Sequence, residues 1–317
     1  TGARCLVDVF VERWKAHPKH IDLDKDRKSG GKGPLIGEND RLRENEKAPV
    51  NGEKPLGDQY VAIARTFNFV SKSIKCVKEQ SIKYSMLGAI QAARKFIYIE
   101  DQYLWNFDAA EAIGKALQNL QYVIILISHV DQVKSAANPD GGEWAHYTFM
   151  QVIKANCKEE HYDKVKVFHR VFKDTGGLGR HTYVHAKCWV FDDELAVIGS
   201  ANCNRRGWES DSEVAAAIFD EKNPRNRRSF AQTLRMGLWS EHLGLTEDKV
   251  FNWLGGDKLW PAFGDERKKE CSVVYYDIGL DKDPVWPIPQ PSTTISWTTI
   301  DPGDGNLGGC GYTPTEV

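Results

Sequence analysis

Apolar positions along the chain fall into stretches of helical and of strand period, with polar breaks between them. Leu6, Phe10 and Trp14 recur every four residues and predict a helix over 3–14, which Pro18 stops. From 21 to 57, Lys, Asp, Gly and Pro dominate with no apolar period, the pattern of a long linker or mobile loop. A compact alternation begins near Tyr60. A strand over 61–67 precedes a helix over 79–94 with Ile82, Met86, Ile90 and Ala93 on one face, and a strand over 96–103 follows directly. Asp108 and Glu111 form a capping box for a helix to 120, which feeds an apolar strand over 122–128.

After a loop with Asn138, Pro139, Gly141 and Gly142, a helix over 144–156 leads to a strand over 165–171. Paired strands over 184–191 and 195–200 come next, joined by the turn Asp192, Asp193, Glu194, and then a strand over 212–219. Pro224 stands near the start of a helix expected to bury Phe230, Leu234 and Leu238. Beyond Gly255 the pattern weakens, and from Pro284 Pro, Gly, Thr and Ser predominate. The fold class expected is α/β, a mixed β-sheet with helices on both faces. The expected organisation is a remnant helix and polar linker over 1–56, a catalytic lobe over 57–255 and an irregular tail over 256–317.

Composition narrows the picture. Hydrophobic residues at 41% and charged residues at 27% fit a globular chain, and the longest apolar runs fall far short of the ~20 residues of a membrane-crossing helix. A formal net charge of -2 supplies no global attraction to nucleic acid or anionic lipid, so any grip on phosphate is local. Seven cysteines without metal-type spacing fit a reduced compartment. Thr1 opens the chain with no signal-peptide pattern after it, and a fragment or processed form is expected, at a cytoplasmic or peripheral-membrane location.

The candidate chemistry lies in Val184-His185-Ala186-Lys187-Cys188. Period-two geometry puts His185 and Lys187 on one strand face and Cys188 on the other. A neutral imidazole can attack phosphorus or pass a proton, while the neighbouring ammonium neutralises non-bridging phosphate oxygens. The same ammonium repels a cation, so His185 is not read as a metal ligand and no metal is expected. In Gly199-Ser200-Ala201-Asn202 a hydroxyl and an amide two residues apart can both bond phosphate oxygens. Glu213 opens the next strand, where a carboxylate could fix the tautomer of a catalytic imidazole. Glu100 and Gln102 share a strand face and line either the site or a buried network. His129, His146, His169 and His181 have no assigned constellation.

The order His185, Lys187, Asp192, Gly199, Ser200, Asn202 matches His-x-Lys-x4-Asp-x6-Gly-Ser-x-Asn at every position, and the chain thereby resembles the phospholipase D superfamily. Residues 96–103 (FIYIEDQY), 202–214 (NCNRRGWESDSEV) and the LWSEHLG run over 238–244 are similar to the second half of two-motif members. The bare pattern at His17, Lys19 and Asp24 lacks this context. The resemblance implies hydrolysis or transfer at a phospholipid phosphodiester through a phosphohistidine, with no cofactor. His185, Lys187 and Asp192 would be catalytic, His185 as general acid, and Ser200, Asn202, Glu213 and Gln102 would bind substrate. It also implies a second catalytic motif, from a missing N-terminal lobe or a homodimer partner, and a phospholipid substrate at a membrane surface. A nuclease, a cardiolipin synthase-like transferase and an inactive half-enzyme are the alternatives; the near-neutral charge disfavours nucleic acid.

Overall fold

A computed structural model describes residues 59–67, 79–129, 141–173, 179–220, 229–264, 271–276 and 278. The expected helix over 3–14, the linker, Pro224 and the stretch from Pro284 lie outside them. Among the described residues ten strands form one sheet: β1 (Gln59–Phe67), β2 (Glu79–Gln80), β3 (Phe96–Asp101), β4 (Tyr122–Ile127), β5 (Val165–Lys173), β6 (Gly179–His181), β7 (Lys187–Phe191), β8 (Leu195–Gly199), β9 (Glu213–Asp220) and β10 (Cys271–Tyr275). Their order is β10-β5-β4-β3-β7-β8-β9-β1-β2, with β6 paired to β5. Strands β3, β4 and β5 run parallel, and the remaining pairs are antiparallel. The sheet is therefore mixed, as the alternation of strands and helices predicts.

Side-chain alternation divides two cores cleanly. On β3 and β4, Ile97, Ile99, Val123, Ile125 and Ile127 meet helices α1 (Ser81–Ala92), α2 (Phe107–Ala116) and α3 (Gly141–Ala155). A short helix α4 (Glu159–Tyr162) then leads into β5. Phe96, Tyr98, Tyr122, Ile124 and Leu126 face α5 (Phe230–Leu243) and α6 (Gly256–Gly264) across the other side. Every residue of β3 and β4 is buried, and a fully buried Ile, Leu or Phe side chain contributes about 1.5–3 kcal/mol. Central strands with helices on both faces need apolar residues at both parities, hence the continuous run at Tyr122–Ile127.

Four details depart from the sequence expectation. Helix α2 is capped by the Asn106 side chain, which accepts the Ala109 N–H at 3.2 Å, in place of the expected box at Asp108 and Glu111. Asp108 instead pairs with Lys83 of α1 at 2.7 Å. Helix α5 buries Ala231, Arg235, Met236, Trp239, His242 and Leu243, leaving Phe230, Leu234 and Leu238 at the core margin. Past Gly255 the chain is not irregular at first: α6 buries Trp260, and β10 pairs with β5. Strand β7 begins at Lys187, not at Val184.

Candidate functional site

The shortened strand has a local cause. The Val184 N–H donates to Ser128 Oγ at 2.8 Å and the Ser128 hydroxyl donates to the Val184 carbonyl at 3.0 Å, so a side chain at the end of β4 takes the backbone groups a ladder would use. His185 consequently stands outside the ladder and is exposed, with the Tyr183 ring stacked 5.9 Å away. Lys187 opens β7 on the face of Trp189 and Phe191, opposite to Cys188 as period two requires. Its Nζ donates to Gln102 Oε1 and to the His185 carbonyl, both at 3.0 Å. Gln102 is 5% exposed, and its Nε2 donates to the Tyr183 hydroxyl. This fixes the amide: carbonyl toward the lysine, N–H toward the phenol.

Burial pulls the Lys187 pKa below the ordinary lysine value, opposed by the Asp101 and Glu213 carboxylates. Asp101 lies opposite Lys187 in the antiparallel β3–β7 register. Burial pushes it up to about 6, against hydrogen bonds from the Cys203 N–H, the Trp189 indole and the Tyr103 N–H and the charge of Lys187.

From β8 and β9 come Ser200 and Glu213. The Ser200 hydroxyl donates to the Glu213 carboxylate, and its oxygen accepts the Val214 N–H at 3.1 Å. Ser200 is thus engaged at the β8–β9 junction by the same carboxylate expected to orient an imidazole. Burial raises the Glu213 pKa; the Ser200 hydrogen bond, Lys187 and Arg206 act the other way, and Asp211 adds to the rise. Gly199 is required here because a Cβ would fall 2.4 Å from the Val214 carbonyl oxygen. Asn202 follows, with its Oδ1 buried and accepting no hydrogen bond among the described residues. An unsatisfied buried acceptor costs about 1–3 kcal/mol and calls for a donor.

The turn bearing Asn202 is pinned from several sides. The Cys203 N–H donates to Asp101 Oδ1 at 3.0 Å, and the Cys203 carbonyl accepts the N–H groups of Trp105 and Asn106 at 2.9 and 3.1 Å. Asn204 Oδ1 accepts the Gly207 N–H at 2.8 Å at the start of a π-helix, Arg206–Ser210. A Cβ on Gly207 would meet the Asn202 carbonyl oxygen at 2.7 Å. Arg206 pairs with Asp211 at 3.1 Å.

Asp192 does not join these residues. It sits at the far end of β7, five residues from Lys187 and so about 17 Å away at ~3.3 Å per residue. Its carboxylate accepts the backbone N–H groups of Arg94, Lys95 and Phe96 at 2.7, 2.8 and 2.9 Å. The expectation that it takes part in catalysis gives way to a joint between the β7–β8 turn and the start of β3. Glu100 faces the other core, where it accepts the Tyr98 hydroxyl and meets His242 Nε2 at 2.9 Å.

Three residues at the site went unread in the sequence. Asp101 lies between Glu100 and Gln102, which share parity in an ideal strand, but the strand ends at Asp101 and Gln102 turns toward Lys187. Tyr183 and Tyr103, hydrogen-bonded to each other, carried no motif. A second group also emerged: His129 stacks on His181 at 3.9 Å, His169 lies 4.9 Å from both, and buried His146 packs with them around Tyr276. Among the described residues no group of three or more His, Cys, Asp or Glu is arranged to hold a metal ion. No helix among them is long and apolar enough to cross a membrane.

With this geometry in place, the likenesses to known proteins are specific. The family described as "Cardiolipin synthase, PLD-like domain" matches residues 86–234, a span that runs from α1 through the site into α5. Phospholipase D1 of Schizosaccharomyces pombe is 36% identical over 99% of this chain and 24% of that protein. Phospholipase D delta of Arabidopsis thaliana is 32% identical over 70% of this chain and 34% of its own length. Among solved structures, the phospholipase D family member Nuc from Salmonella typhimurium aligns with 58% of this chain and 93% of its own, at 17% identity and a TM-score of 0.37, too loose to add to the case. The chain belongs to the phospholipase D superfamily. It spans about a quarter to a third of the length of these phospholipase D relatives.

Proposed function

We propose that this chain supplies one half of a phosphodiesterase site that cleaves phospholipid diesters by way of a phosphohistidine. The observation that carries the proposal is the rim at the start of β7: exposed His185, Lys187 held by Gln102, and the unpartnered Asn202 Oδ1 beside the Gly199–Ser200 turn. In the first step a histidine from a second motif attacks phosphorus. An N–P bond forms, the P–O bond to the leaving alcohol breaks, and His185 gives its proton to that alcohol oxygen. In the second step His185 takes a proton from water or a second alcohol, whose oxygen attacks phosphorus as the N–P bond breaks. Lys187 offsets the charge that builds on the non-bridging oxygens, and its ammonium needs no metal to do so.

The second histidine comes from another lobe or from a second copy of the chain. Membership in the superfamily supports the diester chemistry, and the phospholipase D names of its relatives support a lipid substrate at a membrane surface. The test is hydrolysis of a chromogenic diester and of phosphatidylcholine vesicles in EDTA, by the chain and by His185→Ala, with molecular mass measured in solution. Hydrolysis that survives EDTA and is lost in the variant supports the proposal. Equal hydrolysis in both, or loss of activity in EDTA, overturns it. An inactive wild-type monomer locates the second histidine on a separate lobe.

A further inference from the structure

Asp101 has no place in the steps above, yet it touches three of the segments that build the site. It is fully buried, and its carboxylate accepts the Trp189 indole N–H at 3.0 Å, the Cys203 N–H at 3.0 Å and the Tyr103 N–H at 3.2 Å. Those donors belong to β7, to the turn after Asn202 and to the segment that carries Gln102. All three donors are neutral. A buried anion served only by neutral donors is costly, and where structure alone is at stake a neutral acceptor is cheaper.

The charge has a counterpart in Lys187, directly opposite on β7. Lys187 is itself half-buried, and its hydrogen bonds go to two neutral oxygens, Gln102 Oε1 and the His185 carbonyl. The two charges attract each other without a direct hydrogen bond, since each spends its hydrogen bonds elsewhere. A direct ion pair would tie up the ammonium. Compensation at a distance keeps it charged and leaves donor capacity for a phosphate oxygen. The titratable and charged groups around the pair also include Cys188 on β7, Glu213 on β9, Tyr103 after β3 with Tyr183 and Arg206 beside it, and His185, whose carbonyl accepts from Lys187.

We propose that Asp101 is a positioning residue for phosphate handling: its buried charge holds Lys187 as the ammonium, and its hydrogen bonds fix the Asn202 turn relative to that lysine. This rests on the reading of Lys187 and Asn202 as phosphate ligands, but the coupling is measurable without turnover. An opposite charge within about 4–6 Å moves a pKa by roughly 1–3 pH units, and the effect is reciprocal.

The experiment follows the Trp189 indole N–H resonance against pH by NMR, in the wild type and in Lys187→Met. The resonance reports Asp101 directly, because the indole donates to its carboxylate. The expected midpoint is near pH 6 in the wild type and about one pH unit higher in Lys187→Met. A midpoint that stays in place overturns the proposal. The half-exposed setting of Lys187 lets that variant fold. As a second readout, the Lys187 ammonium in Asp101→Asn, followed by ¹³C reductive methylation, should titrate about one pH unit lower than in the wild type. A folded Asp101→Asn protein with Lys187 unmoved would reduce Asp101 to a scaffold. Neither readout needs activity, so failure of the phosphodiesterase reading and failure of this coupling are told apart.

Discussion

Phe96 and Asp192 hold each other through two hydrogen bonds: the Phe96 N–H donates to Asp192 Oδ1 at 2.9 Å, and the Asp192 N–H donates to the Phe96 carbonyl at 3.2 Å. Asp192 also adopts a left-handed φ of 58°, which Asn tolerates and Ala resists. Asp192→Ala is therefore expected to cost about 2–4 kcal/mol of stability, since it strips the acceptor from up to three backbone N–H groups at ~1–3 kcal/mol for each that is buried. Asp192→Asn should cost less. Urea unfolding measures both. Below the unfolding transition, the turnover of Asp192→Asn should stay within about threefold of wild type, because the site is a strand length away. A hundredfold loss of turnover in folded protein would return Asp192 to the chemistry.

The neighbouring turn residue makes a different commitment. Arg235 is fully buried and pairs with Asp193 through Nε at 2.6 Å and Nη2 at 2.9 Å. It also donates to the carbonyls of Val250 and Phe251, and its guanidinium lies 4.7 Å from the Trp239 ring centre. Asp193→Ala should lower stability by about 3–5 kcal/mol, the cost of leaving a buried charge unpaired. Asp193→Ala with Arg235→Met should recover most of it. Thermal melts of the single and double variants test this; a double variant no better than the single would contradict it.

Acid should destabilise the protein through its histidines. Burial holds His146 at about 3, with His129 adding to the drop. His169 is held at about 3 by the same cause, helped by His129 and His181. Between pH 3 and about 6.5 the unfolded chain binds protons these rings refuse in the fold, so stability falls as pH falls through that window. Each ring can contribute several kcal/mol, at about 1.4 kcal/mol per pH unit of displacement. Asp101, raised to about 6, acts oppositely between its unfolded value and 6, but with a smaller displacement. Unfolding free energies from urea titrations at pH 7.5 and 5.0 should differ by several kcal/mol, at about 1.4 kcal/mol per pH unit, and His169→Leu should narrow the gap. Equal unfolding free energies at the two pH values would contradict the expectation.

Gln102 holds Lys187 through a hydrogen bond to a charged donor, worth about 1.5–3 kcal/mol. Gln102→Leu is expected to lower kcat/KM on a diester by about 10–100-fold, while Gln102→Glu keeps an acceptor and restores part of it. Steady-state kinetics of the pair check this, and a wild-type rate in Gln102→Leu would contradict it.

Legibility in the sequence follows from the kind of signal each residue carries. The continuous apolar run Tyr122–Ile127 and the one-faced apolar spacing of Ile82, Met86 and Ile90 placed the sheet and its covering helices, because burial imposes a period. His185, Lys187, Gly199 and Asn202 were legible as a spaced motif. Asp101 was not, since its role depends on being opposite Lys187 across two strands 86 positions apart in the chain, a register no local pattern encodes. The histidine cluster is likewise assembled from the segment after β4 and from β5, β6 and α3, and its members have no common spacing. β10 was lost because a short edge strand with one apolar face has little period to show.

The central claim is that His185 and Lys187 meet a phosphoryl group, and titration of inorganic phosphate into the ¹⁵N/¹³C-labelled chain tests it most directly. The account predicts saturable shifts of the His185 imidazole and Lys187 Nζ-adjacent resonances, together with the Asn202 side-chain amide, all lost in Lys187→Ala. Phosphate that leaves these three signals unmoved, or moves the His185 and Asn202 signals equally in Lys187→Ala, would contradict it.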